Sequence, residues 1–144
     1  MTERLELSSL RNALESLRES LQDRQDISWL DHPSTSLRKT LTAGIVKNFE
    51  FVFELSIKMV RRQLELEATS RTAIDSASFR GLVRLAAESG IISAVEPWFT
   101  YRELRNITAH TYDHAKAELV CAASPALLAD AWNIYHALVE RPAA

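Results

Sequence analysis

The stretch "GIVKNFEFVFELSIKMVRRQLE", which runs from Gly44 to Glu65, decides the fold that this sequence predicts. Its apolar residues recur at the spacing of one helix face. That face is wide, and a helix of this kind has to be surrounded by other elements. We therefore expect a central helix of a bundle, from about Leu37 to Ala68. Its apolar face comprises Ile45, Phe49, Val52, Phe53, Ser56, Met59, Val60 and Leu64, and is widened by Val46, Phe51 and Ile57.

The composition of the 144 residues also favours helices. The chain contains 3 Gly and 4 Pro, whereas strand-rich folds need many turns and therefore more of both residues. Apolar residues make up 47% and charged residues 25%, as in ordinary globular proteins, and the length suits one domain. We expect residues 1–144 to form a single all-α domain.

A stripe of leucines predicts the first helix, from about Thr2 to Gln25. The sequence Asp31-His32-Pro33 is expected to break the chain before the central helix. The stripe consists of Leu7, Leu10, Leu14, Leu17 and Leu21, and the candidate caps of the central helix are Ser34, Thr35 and Ser36.

The second half of the chain divides into shorter predicted helices, after a polar link from Thr69 to Ser78. Gly90 is placed to end one of them as a C-cap, and Pro97 suits the first turn of the next. The pattern predicts an antiparallel up-down bundle of about five to six helices. These later helices are expected at about Ser78–Glu88, from Glu96-Pro97 onward, at about Asp113–Ala122 and, after a cap at Ser124-Pro125, at about Ala126–Val139.

The segment that carries chemistry is Arg105-Asn106-Ile107-Thr108-Ala109-His110-Thr111-Tyr112. Arginine stays charged and forks onto phosphate oxygens. Histidine takes or gives a proton near neutral pH. Together, an arginine and a histidine are a minimal set for cutting an RNA phosphodiester without a metal.

The spacing of Arg105 and His110 sets a condition on the local backbone. Residues five apart on an ideal helix point about 140° away from each other. Convergence therefore requires the helix to end or bend between them. Thr108 and Thr111 are β-branched and can bond back to the backbone, which suits a helix end.

The pattern Arg105-Asn106-x-x-x-His110-x-Tyr112 resembles the R-x4-H-x-Y motif of HEPN-domain proteins that are paired with a minimal nucleotidyltransferase. The resemblance covers roughly the whole chain: the segment from Gly44 to Glu65, with its Phe-Glu-x-x-x-Glu core, is similar to the long second helix of that group. The segment from Phe79 to Asp113 is similar to the following helix pair. The residues from Ala68 to Ser78 carry no such likeness.

This resemblance implies a HEPN-like bundle and an endoribonuclease toxin of a toxin–antitoxin pair. His110 would be the general base or acid, Arg105 would stabilise the pentavalent phosphorus, and Asn106 would orient one of them. The products would be a 2′,3′-cyclic phosphate and a 5′-OH. The resemblance also implies a homodimer with two motifs lining one cleft, and a nucleotidyltransferase antitoxin that adds AMP to Tyr112.

Two other interpretations stay open. In one, the chain is a non-catalytic binding subunit that presents a nucleotide or phosphorylated substrate to a nucleotidyltransferase. In the other, it is a helical dimerisation domain whose Arg105 and His110 only pair with Glu50 or Glu54. Glu50, Glu54 and Lys58 lie four apart, so they form either an exposed ladder of ion pairs or the group from which one Glu orients Arg105.

The sequence predicts no cofactor and no metal site. His110 and His114 are four apart, a weak zinc pattern only if both lie on one helix. The net charge of −2 argues against a general nucleic-acid binder, so RNA contact would require local clustering of basic residues. The candidates are Lys58, Arg61, Arg62, Arg80, Arg84, Arg102 and Arg105; the alternative is that most are solvated and paired with nearby Glu.

The chain also carries signs of its compartment. No apolar run approaches membrane-spanning length, and the N-terminus "MTERLELSSLRNALESL" is too charged for a signal peptide. The single Cys121 fits a reducing compartment, and its Ala-rich surroundings favour a small buried thiol over a nucleophile. We expect a cytoplasmic protein that contacts no membrane.

Overall fold

The computed structural model describes residues 5–27, 35–110 and 113–141, with the side chains of Thr35 and His110 outside that description. The regular secondary structure of these ranges is helical, with no strand, which confirms the all-α prediction. No helix within them is long and apolar enough to span a membrane. The helices are α1 (Ser8–Ile27), α2 (Thr35–Glu67), α3 (Arg71–Asp75), α4 (Phe79–Glu88), α5 (Glu96–Ile107) and α6 (His114–Glu140), with a 3-10 turn at Thr108–His110.

Helix α2 is the centre of the bundle, as its sequence predicts, and it packs against each of the other helices. The predicted apolar face is buried, including the hydroxyl residue Ser56, which is 0% exposed. Ile57 is half-buried, and Phe51 is exposed: its side chain is 45% exposed, with the Lys47 ammonium 5.1 Å from the ring centroid. The reason is angular, because Phe51 lies about 200° around the helix from buried Phe49.

Contacts between helices fix their directions. Asn48 of α2 bonds to Ser20 of α1, and Arg24 near the end of α1 bonds to Glu118 near the start of α6. At the far end of α6, Arg141 bonds to Glu67, the last residue of α2. Helix α1 therefore runs antiparallel to α6, while α2 and α6 run side by side in the same direction. Helices α1 and α2 reverse direction, as in the predicted up-down bundle, whereas α2 and α6 do not, since the shorter helices α3, α4 and α5 lie between them in the chain.

One helix replaces the two that the sequence predicts at the C-terminus. Helix α6 continues through Pro125, so the expected break at Ser124-Pro125 is wrong. Pro125 is exposed while Ser124 is fully buried and donates its hydroxyl to the Val120 carbonyl at 2.8 Å. The apolar residues before and after Pro125 form one stripe on α2, and burial of that stripe outweighs the lost backbone hydrogen bond.

The interval predicted as a polar link contains helix α3, which the sequence pattern missed. Ile74 is 6% exposed, and Arg61 of α2 donates to its carbonyl at 3.0 Å. One buried apolar residue in a short polar stretch gives no periodic signal. Tertiary contact with α2 therefore stabilises a turn of helix that local sequence does not predict.

Several helix ends also differ from the prediction. Helix α1 begins at Ser8 rather than Thr2, because Glu6 accepts a hydrogen bond from the Ser8 backbone and Leu5–Leu7 are not helical. Helix α2 begins at Thr35 rather than Leu37, so Ser36 lies inside it. The predicted break at Asp31-His32-Pro33 and the candidate cap Ser34 lie outside the described residues.

The junction between α4 and α5 follows the sequence closely and positions the motif. Ser78 caps α4 and accepts a bond from the Gly81 backbone. Gly90 has φ +84°, and the Ile91 amide donates to the Ala86 carbonyl at 2.9 Å, which closes the end of α4. Helix α5 then begins at Glu96 with Pro97 in its first turn.

Two buried aromatic residues hold α5 against the bundle. Trp98 and Tyr101 are 2% and 4% exposed, as expected for packing residues. The Tyr101 hydroxyl donates to the Asp130 carboxylate of α6 at 2.5 Å, and burial together with this bond raises the pKa of Tyr101. The tyrosine ring also packs edge-on against Phe49 of α2. Helix α5 is thereby fixed to both α2 and α6, with its last turn at the surface.

Candidate functional site

Arg105 lies in the last turn of α5 and faces two carboxylates of α2. Its Nε is 3.0 Å and its Nη2 is 2.5 Å from Oε1 of Glu54, whereas the nearest Glu50 oxygen is 4.0 Å from Nη2. Its side chain is 36% exposed. The guanidinium is therefore held from one side by Glu54 and remains open to solvent on another.

Glu50 belongs to the same cluster through different partners. The Thr108 hydroxyl lies 3.1 Å from Glu50 Oε2 and 2.6 Å from the Arg105 carbonyl. A hydroxyl has one proton, so it donates to one of these oxygens at a time. Lys47 lies 3.6 Å from Glu50 Oε1. Glu50 therefore contacts both Thr108, at the end of α5, and Lys47, on the exposed side of α2.

An open pocket of about 480 Å³ lies beside this cluster. Two cations, Lys47 and Arg105, line it together with one carboxylate, Glu50. Because Glu54 also pairs with Arg105, the charges of the cluster are balanced, and the feature that suits an anionic group is the exposed part of the Arg105 guanidinium, which offers paired donors to phosphate oxygens. The lining residues are Ala43, Val46, Lys47, Glu50, Arg105, Thr108 and Ala109.

The backbone changes form between Arg105 and His110, which is the condition that convergence of the two side chains sets. Helix α5 ends at Ile107, and the 3-10 turn covers Thr108–His110. Thr108 is 6% exposed and bonds back to the Arg105 carbonyl, the interaction expected of a β-branched residue at a helix end. A 3-10 turn has fewer residues per turn than an α-helix, so the backbone at His110 faces a different direction from the one that a continued α-helix would give.

The structure describes the motif residues to different extents. Asn106 is exposed on the last turn of α5. The backbone of His110 closes the 3-10 turn, while its side chain, Thr111 and Tyr112 lie outside the described residues. The fold brings Arg105, Glu50 and Glu54 together.

Two residues of this cluster were not predicted as part of it. The sequence predicts a helix-ending role for Thr108, and the structure shows that its hydroxyl also reaches Glu50. Lys47 precedes Glu50 by three residues, and that spacing places both on one helix surface, so it was the available signal. The contact of Thr108 with α2 depends on how α5 docks and carries no local signal.

Other reactive groups lie elsewhere. Cys121 is 6% exposed and burial raises the pKa of its thiol, which agrees with the predicted buried cysteine. His110 and His114 lie on different elements, the 3-10 turn and α6. Within residues 5–27, 35–110 and 113–141, no group of three or more His, Cys, Asp or Glu is arranged to hold a metal ion.

The helical bundle, with an arginine-containing turn beside its central helix, matches a known family. The chain belongs to the nucleotidyltransferase substrate binding protein like family, whose model matches residues 5–140.

Individual relatives agree with this assignment. A Haemophilus influenzae protein named "Probable ribonuclease HepT" is 40% identical over 122 residues, which cover 85% of this chain and 84% of that protein. The structure of HI0074 from Haemophilus influenzae, described as the fold of a substrate binding domain of a nucleotidyltransferase, superposes with a TM-score of 0.90 at 36% identity. That match covers 94% of this chain and 100% of HI0074. A Thermus thermophilus protein shares the fold, with a TM-score of 0.61 at 21% identity over 87% of this chain and 99% of that chain.

Proposed function

We propose that this chain is a metal-independent endoribonuclease that acts as the toxin of a toxin–antitoxin pair. The observation that carries the proposal is its 40% identity to a protein named as a ribonuclease. The position of Arg105 on the wall of an open pocket supports it, because RNA cleavage needs a cation beside the reacting phosphate.

The proposed reaction is a transesterification within the RNA strand. An imidazole at His110 takes the proton of a ribose 2′-OH, and the 2′ oxygen attacks the adjacent phosphorus. The bond from phosphorus to the 5′ oxygen breaks, and that oxygen receives a proton from an imidazolium. The products are a 2′,3′-cyclic phosphate and a 5′-OH. Arg105 balances the charge on phosphorus, and Asn106 orients one of the two side chains.

This reaction uses an acid and a base on opposite sides of the phosphorus, whereas one chain supplies a single motif. A twofold homodimer provides a second copy, because a symmetric contact uses the same patch twice. We therefore place the active cleft between two protomers, with one His110 from each. Activity should then fall with dilution below the dissociation constant of the dimer.

The function is tested by incubating RNA with the purified protein in EDTA, wild type beside His110→Ala. We expect cleavage that leaves 2′,3′-cyclic phosphate ends in wild type and falls by about a hundredfold in the variant, which loses its proton-transfer group. Ends are analysed by mass spectrometry. Equal cleavage by both proteins would remove His110 from the mechanism.

The partner in this proposal is a minimal nucleotidyltransferase that adds AMP to Tyr112. The added phosphate and nucleoside would occupy the cleft and place negative charge where Arg105 meets RNA. Tyr112→Phe should keep RNA cleavage and escape neutralisation when the two proteins are produced together, read as growth arrest and as the absence of an AMP mass shift. A variant without cleavage would assign Tyr112 to catalysis instead.

Glu54 is proposed to position Arg105. Glu54→Ala should lower cleavage by about tenfold because a loosely held guanidinium misses the reacting phosphate more often. The same change should alter the free energy of unfolding by less than about 1 kcal/mol, since the pair is partly exposed. Glu19→Ala is a matched control, as Glu19 is an exposed carboxylate of α1 that also pairs with an arginine. Unchanged cleavage by Glu54→Ala would show that the ion pair of Arg105 with Glu54 has no role in positioning Arg105 for cleavage.

A second candidate function has its own support. The family description and the HI0074 structure both refer to substrate binding for a nucleotidyltransferase. In that role the pocket at Arg105 binds a nucleotide or phosphorylated group and presents it to the transferase, and no bond is cut. Absence of cleavage by wild-type dimer, with Tyr112 shown to be unmodified by mass spectrometry, would favour this binding role.

A further inference from the structure

Two arginines and two phenylalanines form a row along the outer side of α4 and α5. The Arg80 guanidinium lies 4.3 Å from the centroid of the Phe99 ring, and the Arg102 guanidinium lies 4.6 Å from that of Phe79. The two rings meet edge to face, with centroids 6.3 Å apart. We call Arg80, Phe99, Phe79 and Arg102 the Arg–Phe row.

Neither charge of this row has a direct carboxylate contact among the residues that the structure describes. Within the described part of the chain, Arg80 and Arg102 take part in no ion pair, whereas Arg71 and Arg105 each contact a glutamate. Both arginine side chains of the row are exposed. An arginine lying over a ring keeps the N–H donors at its edge available for another partner.

The row is also held in place. Phe79 packs against Phe53 of α2 with centroids 5.9 Å apart, and Phe53 belongs to the buried core. The ring beneath Arg102 is therefore fixed to the centre of the bundle. Stacking restricts a long side chain before a ligand arrives, which reduces the entropy lost on binding.

The row adjoins the motif. Arg102 precedes Arg105 by three residues and Asn106 by four, and residues at these spacings are neighbours on a helix surface. The positive side chains continue from the proposed cleavage site along α5 to the start of α4. Glu103 is the acidic residue on the exposed side of this turn.

From this arrangement we infer that the Arg–Phe row binds the phosphates of single-stranded RNA that flank the cleaved bond. The inference rests on the proposed function and names how its substrate is held. RNA is favoured because the chain has a net charge of −2, so a polyanion needs a local cluster of unpaired cations, and this row provides one. Guanidinium groups match phosphate oxygens with two donors.

The test measures binding of a fluorescein-labelled oligouridylate by anisotropy at several salt concentrations. All proteins are full-length chains that carry His110→Ala, so that RNA stays intact. The test variant adds Arg80→Ala and Arg102→Ala. The matched control adds Arg11→Ala and Arg18→Ala, which remove the same charge from exposed arginines of α1.

We expect the test variant to bind RNA about tenfold more weakly, with the slope of log affinity against log salt smaller by about 0.7 for each lost phosphate contact. The control should stay within about twofold of its parent. Circular dichroism melting checks that each protein is folded. If the double variant does not fold, Arg80→Ala and Arg102→Ala are measured singly, each with an expected slope change of about 0.7.

The outcomes separate this inference from the proposed function. If wild type cleaves RNA but the test variant keeps the parent's affinity and salt slope, the inference is overturned and the nuclease stands. Equal weakening in the test and control variants also overturns it, because only general charge would then matter. If wild type neither binds nor cleaves RNA, both the inference and the proposed function fail, and a protein becomes the alternative partner of the row.

Discussion

Replacing Arg105 by alanine is expected to reduce RNA cleavage by about a thousandfold, the loss typical of removing a charged group that stabilises a transition state. Arg105 lines the pocket and is the positively charged residue of the motif that the structure describes. Its partner Glu54 is 44% exposed, so the ion pair contributes little to folding. The melting temperature should therefore change by only a few degrees. Single-turnover cleavage and thermal melting measure the two effects separately.

Arg105→Lys serves as the control for charge. Lysine keeps the positive charge but loses the planar fork that pairs with two phosphate oxygens. We expect Arg105→Lys to retain part of the activity that Arg105→Ala loses. It should not restore the hydrogen bond that Arg105 Nε donates to Glu54. If Arg105→Ala instead lowers stability and leaves cleavage intact, Arg105 is only a structural partner of Glu54.

Replacing Phe49 by alanine is expected to lower the free energy of unfolding by about 3–5 kcal/mol. Phe49 is 0% exposed in the core face of α2 and packs against Tyr101 of α5. Its loss would leave a cavity at the contact that fixes α5. Urea unfolding, followed by circular dichroism, gives the free energy by linear extrapolation.

Phe51→Ala is the matched control, because it makes the same change two residues away on the same helix. Phe51 is 45% exposed and touches Lys47, so its loss should cost less than about 1 kcal/mol. Similar losses in the two variants would contradict the assignment of Phe49 to the core and of Phe51 to the surface.

Much of the fold followed from periodicity alone. The central position of α2, the turn at Gly90 and the start of α5 at Glu96-Pro97 were predicted from apolar spacing and from Gly and Pro. The two errors in the number of helices have one cause. Helix α3 and the continuous α6 depend on burial against α2, and that burial overrides local signals such as Pro125.

The sequence likewise predicts part of the candidate site, and the packing of the helices decides the rest. The spacing predicts that the helix ends or bends between Arg105 and His110 if the two side chains converge, and the sequence offers Glu50 and Glu54 as candidate partners of Arg105. The choice between the two carboxylates could not be made from sequence, since both lie on one line of α2. The docking of α5 makes that choice and brings Glu54 Oε1 within 3.0 Å of Arg105 Nε.

The sequence by itself determined the helical class, the central helix and the family, because apolar periodicity and a local motif are written in consecutive residues. Tertiary structure alone decided the pairing of Arg105 with Glu54, the contact of Thr108 with Glu50 and the stacking of Arg80 and Arg102 on phenylalanines. These contacts join residues far apart in the chain or on different helices. Their geometry follows from how the helices pack, and no local pattern encodes that packing.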